Sequence, residues 1–203
     1  AKNRYTASEV LSSKWLTVKL KKEDEKTNYY LDYKHIEKYK SYNKFKQVIL
    51  TFIASRLSSE ESDKIRNIFY SIDESKKGFI TYEDFSNYII NECNIDDISE
   101  KQEDIKKAFK SVDIDHSNSI DYTEFLAANL EPEIFLKEEK LREAFRVFDL
   151  GDTGYIKKED IVRVLKLDKL SEKDNIANKI IEENDFDKDG KINFNDFMMT
   201  MKN

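Results

Sequence analysis

Asp113, Asp115, Ser117, Asp121 and Glu124 place oxygen-bearing side chains at positions 1, 3, 5, 9 and 12 of one twelve-residue run, and Ser119 offers its backbone carbonyl at position 7. The set is all oxygen and ends in a side chain long enough to bind through both carboxylate oxygens. Those are the demands of Ca²⁺, a hard cation that takes roughly six to eight oxygen ligands. Position 6 of such a loop turns sharply with φ > 0, and Asn118 is among the few non-glycine residues that tolerate that region. A second run offers Asp185, Asp187, Asp189, Asn193 and Asp196, with Gly190 at the turn and the Lys191 carbonyl at position 7. Its last ligand is the shorter Asp196, which reaches an ion less readily through both oxygens. This run is expected to be less Ca²⁺-selective and to admit octahedral Mg²⁺.

Two further runs are thinner. Asp73, Ser75, Thr81 and Asp84, with the Phe79 carbonyl, form one, but Lys77 at position 5 removes a ligand and brings a positive charge. Asp149, Thr153 and Asp160, with the Tyr155 carbonyl, form the other, and Gly151 and Lys157 stand at positions 3 and 9. Both are expected to act as structural supports, so that each pair of loops holds one strong site. His116 falls at position 4, which supplies no ligand, and is expected to face solvent.

The four runs start at Asp73, Asp113, Asp149 and Asp185, separations of 40, 36 and 36 residues. A repeat of this period reads as one supersecondary unit used four times. Position 8 is isoleucine each time: Ile80, Ile120, Ile156 and Ile192. Apolar residues recur before the first three loops (Phe69, Phe109, Phe145) and after all four (Phe85, Phe125, Ile161, Phe197). Helices on either side of each loop would present them inward. The expected fold is therefore all-α, four helix–loop–helix units in two lobes, 58–131 (loops 73–84 and 113–124) and 132–203 (loops 149–160 and 185–196). Ser58 and Glu61 form a capping box at the start of the first unit, and Pro132 marks the junction between lobes.

The charge is divided along the chain. Residues 1–57 hold 13 Lys/Arg against 6 Asp/Glu, and the remainder 22 against 35, giving +7 and −13 and the overall −6. An acidic body repels phosphate, which excludes nucleic acid as the natural partner, and a basic arm docking on that body is the simpler reading. Residues 34–57 carry a helical stripe of Ile36, Tyr39, Tyr42, Phe45, Val48, Ile49, Phe52, Ile53 and Leu57, with Lys34, Lys38, Lys40, Lys44 and Lys46 elsewhere. One long amphipathic helix of ~35 Å is expected there, with the makeup of a helix that lies in an apolar groove.

The lone Cys93 excludes an internal disulfide and suits a small buried hydrophobe. Met198, Met199 and Met201 on the last helix suit either an adaptable groove or an ordinary core. No apolar run reaches the ~18 residues of a membrane span and no signal peptide is visible, so a cytoplasmic protein is expected, with membrane association only through a segment upstream of Ala1. No nucleophile–base pair or phosphate-cradling glycine loop is present, and the chain has no active site of its own.

The loops resemble those of the EF-hand family. In that family position 8 pairs across two loops in a short antiparallel bridge, which the four isoleucines would form here. Arg4, Thr6, Ala7, Leu11 and Trp15 resemble the closing helix of the protein kinase fold, with Ser13-Lys14 where that family often has His-Pro. Asn43-Lys44-Phe45-Lys46 and Ser55-Arg56-Leu57-Ser58 resemble the entry into the first hand of calcium-dependent protein kinases of the plant and apicomplexan type. The resemblance to the C-terminal half of those kinases covers essentially the whole chain. It implies a kinase-lobe remnant (1–16), a linker and autoinhibitory junction helix (17–57), and a Ca²⁺ sensor that controls an attached serine/threonine kinase. The implied partners are the protein's own kinase domain and its own junction helix. A stand-alone Ca²⁺ sensor or a passive buffer would account for the loops but not for the segments before them.

Overall fold

A computed structural model of the chain describes residue 31 and residues 33–92, 98–167 and 172–203. The kinase-like segment Arg4–Trp15, the linker as far as Tyr30, and Cys93 lie outside the described residues. The elements in order are α1 (Tyr33–Ser41), α2 (Lys44–Ala54), α3 (Ser59–Ile72), β1 (Phe79–Thr81), α4 (Tyr82–Glu92), α5 (Ile98–Val112), β2 (Ser119–Asp121) and α6 (Tyr122–Ala128). They continue as α7 (Pro132–Phe135), α8 (Glu138–Phe148), β3 (Tyr155–Ile156), α9 (Lys158–Val164), α10 (Lys173–Asn184), β4 (Ile192–Asn193) and α11 (Phe194–Lys202). Among these, no helix is long and apolar enough to cross a membrane.

Each loop contributes one short strand, and the strands pair antiparallel within a lobe: β1 with β2, β3 with β4. The registers set Ile80 opposite Ile120 and Ile156 opposite Ile192. All four isoleucines are fully buried. β-branched side chains facing each other across a two-strand bridge lock the two loops of a lobe into one body. The helices start where the sequence provides caps. Ser58 Oγ accepts the Glu61 N–H at 3.3 Å while Glu61 Oε2 accepts the Ser58 N–H at 3.1 Å. The recurring aromatics meet edge to face inside each lobe, Phe69 with Phe125 (5.6 Å between centroids), Phe85 with Phe109 (5.9 Å) and Phe145 with Phe197 (5.4 Å). Such contacts contribute about 0.5–1.5 kcal/mol each beyond area burial.

The single long helix expected over 34–57 is instead two, α1 and α2, broken at Tyr42–Asn43. The cause is local hydrogen bonding. Asn43 sits in extended backbone (ψ 159) and its Oδ1 accepts the Lys46 N–H at 2.8 Å, starting a new helix. The Gln47 side-chain amide donates to the Tyr39 carbonyl at 3.1 Å, satisfying one of the acceptors at the end of α1. Asparagine competes with helix continuation by this kind of bond, which a reading of apolar period alone does not register.

α2 is held from several sides. It packs against α6 of the first lobe and α8 of the second, with Phe45, Ile49, Leu50 and Ile53 buried. Phe45 lies 5.4 Å from Phe148 and 6.2 Å from Phe197, both in edge-to-face geometry. Lys46, which the sequence places on the basic face, is buried. Its Nζ donates to the Met201 carbonyl at 2.8 Å, in the last turn of α11, and lies 3.9 Å from the Tyr42 ring centroid. A helix C-terminus and an aromatic face both favour a cation, and burial pulls this ammonium down to about 8. The lobes also meet through Glu61, which pairs with Lys140 at 2.9 Å and Lys137 at 3.2 Å.

Candidate metal centres

All four loops are built on one carboxylate. The aspartate at position 1 accepts the backbone N–H groups of positions 5 and 6. For Asp113 these are Ser117 (2.9 Å) and Asn118 (3.0 Å). For Asp185 they are Asp189 (3.2 Å) and Gly190 (2.7 Å). Asp73 and Asp149 make the same pair of bonds, to Lys77 and Gly78 and to Thr153 and Gly154. The turn needs positive φ at position 6, where Asn118 adopts 63° beside three glycines. It also needs it at position 4: Lys76, His116, Asp152 and Lys188 have φ between 48° and 61°. The sequence pointed to position 6 only, because no glycine marks position 4. His116 is exposed, as expected for a position that supplies no ligand.

The loops separate at position 12. Glu124 Oε1 accepts the Ile114 N–H at 2.8 Å and Oε2 the Asp121 N–H at 3.0 Å, so its carboxylate spans loop two from start to end. Asp196 spans loop four in the same way, to Phe186 at 3.2 Å and Asn193 at 3.1 Å. Asp84 and Asp160 bond to the position 9 amides of Thr81 and Lys157. Carboxylate oxygens of Asp113, Asp115 and Glu124 come within 4.8 Å of one another, as do those of Asp185, Asp187 and Asp189. The position 12 residue thus belongs to the acidic cluster in loop two, whereas the cluster of loop four is drawn from its first half.

Position 9 has a second duty. It lies three residues before position 12, the spacing of a capping box, and Asp121, Asn193 and Thr81 each accept the N–H of Glu124, Asp196 or Asp84. Asp121 accepts this bond through Oδ1 alone. The only side-chain oxygen of Asn193 is engaged by Asn195 and Asp196, and its amide donates to Asp187 at 2.8 Å. At position 5, the Ser117 hydroxyl lies 3.0 Å from the Ser119 carbonyl, and that of Thr153 3.1 Å from the Tyr155 carbonyl, which brings two oxygens of each loop to one side. In loop one a cation is already present: Lys77 Nζ lies 3.2 Å from Asp84 Oδ2 and 5.8 Å from the Phe79 ring centroid. Burial pushes the Asp84 carboxyl up, but hydrogen bonds from Thr81 and Lys77 outweigh it and hold it below its ordinary value. Ser75 stays close to Asp73, at 3.4 Å.

The electrostatics of loops two and four call for a countercharge. Glu124 and Asp113 are buried, and burial pushes the Glu124 carboxyl up. The Ser117 backbone N–H, with its hydroxyl, holds Asp115 below its ordinary value. Loss of water and the carboxylates of Asp196 and Asp189 push Asp187 up. Converging carboxylates of one sign destabilise each other unless a cation joins them. An all-oxygen set with a carboxylate that offers both oxygens fits Ca²⁺, and the converging groups are carboxylates in both loops, the one imidazole, His116, being exposed at position 4.

The geometry agrees with relationships visible across the chain. The EF-hand domain pair matches residues 62–128 and 138–202. The chain is similar to calcium-dependent protein kinase 3 of Oryza sativa subsp. japonica, 31% identical over 201 residues, covering 99% of this chain and 36% of that protein. It is similar to calcium-dependent protein kinase 17 of Arabidopsis thaliana, 31% identical over 204 residues, covering 99% and 37%. Against calcium-dependent protein kinase 2 of Zea mays the identity is 28% over 203 residues, covering 99% and 38%. The chain thus spans less than two fifths of the length of these relatives. Two matched domain pairs, four loops of one plan and two paired-isoleucine bridges place the chain in the EF-hand family of Ca²⁺-binding proteins.

Proposed function

We propose that this chain is the Ca²⁺-sensing regulatory portion of a calcium-dependent serine/threonine protein kinase. Its similarity to such kinases over 99% of its length supports the reading. In this reading residues 1–16 close the kinase lobe, 17–57 form the junction, and 58–131 and 132–203 are the two EF-hand lobes. Loops two and four hold Ca²⁺ through Asp113, Asp115, Ser117, Ser119, Asp121 and Glu124, and through Asp185, Asp187, Asp189, Lys191, Asn193 and Asp196. Mg²⁺ competes chiefly in loop four. Loop one stays metal-free because the Lys77 ammonium already neutralises Asp84, and loop three because position 3 is Gly151.

The observation that carries the proposal is the seat of the α1–α2 hairpin. Phe45 is enclosed by Phe148 and Phe197 of the second lobe, and α2 lies along α6, the helix that leaves loop two. A ligand shifts an equilibrium only by its difference in affinity between states. Loading that reorients α6 and α11, the helices that leave loops two and four, changes the seat of α2, which contacts α6 and, through Phe45, Phe197 of α11. The α2 helix is continuous in sequence with whatever precedes it. The switch is a change of partner for this segment, from the kinase lobe without Ca²⁺ to the EF-hand lobes with it.

The test uses the gene. The reading frame upstream of Ala1 should encode a kinase catalytic region, and phosphorylation by the whole protein should require free Ca²⁺ and lose that requirement or its activity in Asp113→Ala. A frame without a catalytic region, or activity indifferent to both Ca²⁺ and Asp113→Ala, refutes the proposal.

A further inference from the structure

The corner between α1 and α2 touches both lobes, and the two residues that make it reach different loops. Lys44 Nζ donates to the carbonyl of Ile114 at 3.2 Å, position 2 of loop two. Burial pulls the Lys44 ammonium below its ordinary value, against the attraction of Glu124 and Asp113. Those are the two buried carboxylates of that loop. On the other side, Asn43 Nδ2 donates to Asn184 Oδ1 at 3.0 Å. Asn184 is buried, immediately precedes Asp185, and also binds the Ile180 carbonyl and the Thr200 hydroxyl. The same Asn43 caps α2 through its Oδ1. Lys44 is therefore fixed where it is by a cap anchored in the second lobe, while its charge acts on a loop of the first.

We propose that Lys44 is a built-in countercation for loop two, which raises the Ca²⁺ concentration at which that loop fills. The inference rests on the reading of Asp113–Glu124 as a Ca²⁺ loop. Without a metal ion the ammonium offsets part of the surplus negative charge around Asp113 and Glu124. A divalent cation among the same carboxylates repels it. Linkage makes the effect reciprocal: to whatever degree Lys44 weakens Ca²⁺ binding, filled loop two weakens the hold of Lys44 on Ile114 by the same factor. Because Lys44 opens α2, the ammonium acts as a brake on the switch, subtracting that factor from the gain in α2 docking that Ca²⁺ loading brings. Lys46 does not share this role, since its Nζ is turned to the Met201 carbonyl of the second lobe.

The test isolates loop two with Asp185→Ala and titrates the chain with Ca²⁺ by calorimetry. With the ammonium near the surface, removal of its charge in Lys44→Met is expected to tighten Ca²⁺ binding by about threefold to tenfold. Lys44→Arg, which keeps the charge, should bind within about twofold of the parent on the same reasoning. The gap between Met and parent should shrink in 0.5 M potassium chloride, since salt screens an exposed charge, and a purely packing role for Lys44 would leave it unchanged. In chelator, Lys44→Met should melt lower than the parent, because the carboxylates have lost their countercharge. Unchanged or weaker Ca²⁺ binding in Lys44→Met, with the parent still binding, overturns the role of Lys44 and leaves the loop assignment standing. No binding by the Asp185→Ala parent overturns the loop assignment and this inference together.

Discussion

Phe45→Ala probes the seat of the hairpin most sharply. The ring is buried, with edge contacts to Phe148 at 5.4 Å and Phe197 at 6.2 Å. Truncating a buried phenylalanine costs about 3–5 kcal/mol, the lost transfer energy plus the cavity that remains. Most of that loss falls on docking of α2, because Phe145–Phe197 and the Ile156–Ile192 bridge complete the second lobe without Phe45. At about 1.4 kcal/mol per decade, hydrogen exchange of α2 amides in Ca²⁺ should accelerate by two to three orders of magnitude. Amides of the β3–β4 bridge serve as the internal reference and should change by less than about tenfold, as expected for a site outside the opening unit. Acceleration of α2 below about fivefold, a cost under ~1 kcal/mol, would refute the argument that Phe45 anchors the hairpin.

Glu61 offers a pH test. Hydrogen bonds from Lys140 and the Ser58 backbone, with that from Lys137, hold its carboxyl down at about 2 against an ordinary 4.5. A depressed acid stabilises the folded state fully above its unfolded pKa and loses that contribution as pH falls toward the folded value. Such a shift corresponds to ~3 kcal/mol, which exposure of Lys137 to screening reduces to about 1–2 kcal/mol. Urea unfolding in chelator should therefore show Glu61→Gln less stable than the parent by that amount at pH 6, with the gap closing between pH 4.5 and pH 2. A gap that does not close assigns the effect to the cap alone. In loop one, Lys77→Asp removes the resident cation and restores a position 5 ligand, so calorimetry should find one more Ca²⁺ per chain than in the parent. Asn118→Ala forces a non-asparagine residue to φ 63° and should cost about 1 kcal/mol in thermal unfolding of the metal-free chain.

The repeat made most of this fold readable before the structure. Identical types at identical loop positions, above all the isoleucines at position 8, fix four units and their pairing, since a bridge residue must be apolar and β-branched in every copy. What the sequence hid depends on single side chains acting on the backbone. Asn43 and Gln47 divide one apolar stripe into two helices, and an apolar period passes through such a break unchanged. Lys46 reads as a surface lysine because its partner, the Met201 carbonyl, is a backbone atom 155 residues away. Position 4 of each loop adopts positive φ in Lys, His and Asp without a glycine to mark it, and only His and Asp among these types are enriched in that region. In the metal loops the candidate ligands could be named from residue type and loop position. The reach of Asp196 back to Phe186, and the commitment of Asn193 to capping α11, come from three-dimensional placement.

In the proposed switch, Ca²⁺ in loop two gathers the EF-hand lobes around the α1–α2 hairpin. Small-angle scattering of the whole 203-residue chain in chelator and in Ca²⁺ measures this directly, with Asp113→Ala as comparison. Ca²⁺ should reduce the radius of gyration of the parent and leave the Asp113→Ala profile where it is in chelator. A parent profile unmoved by Ca²⁺, or an Asp113→Ala chain that contracts as the parent does, would contradict it.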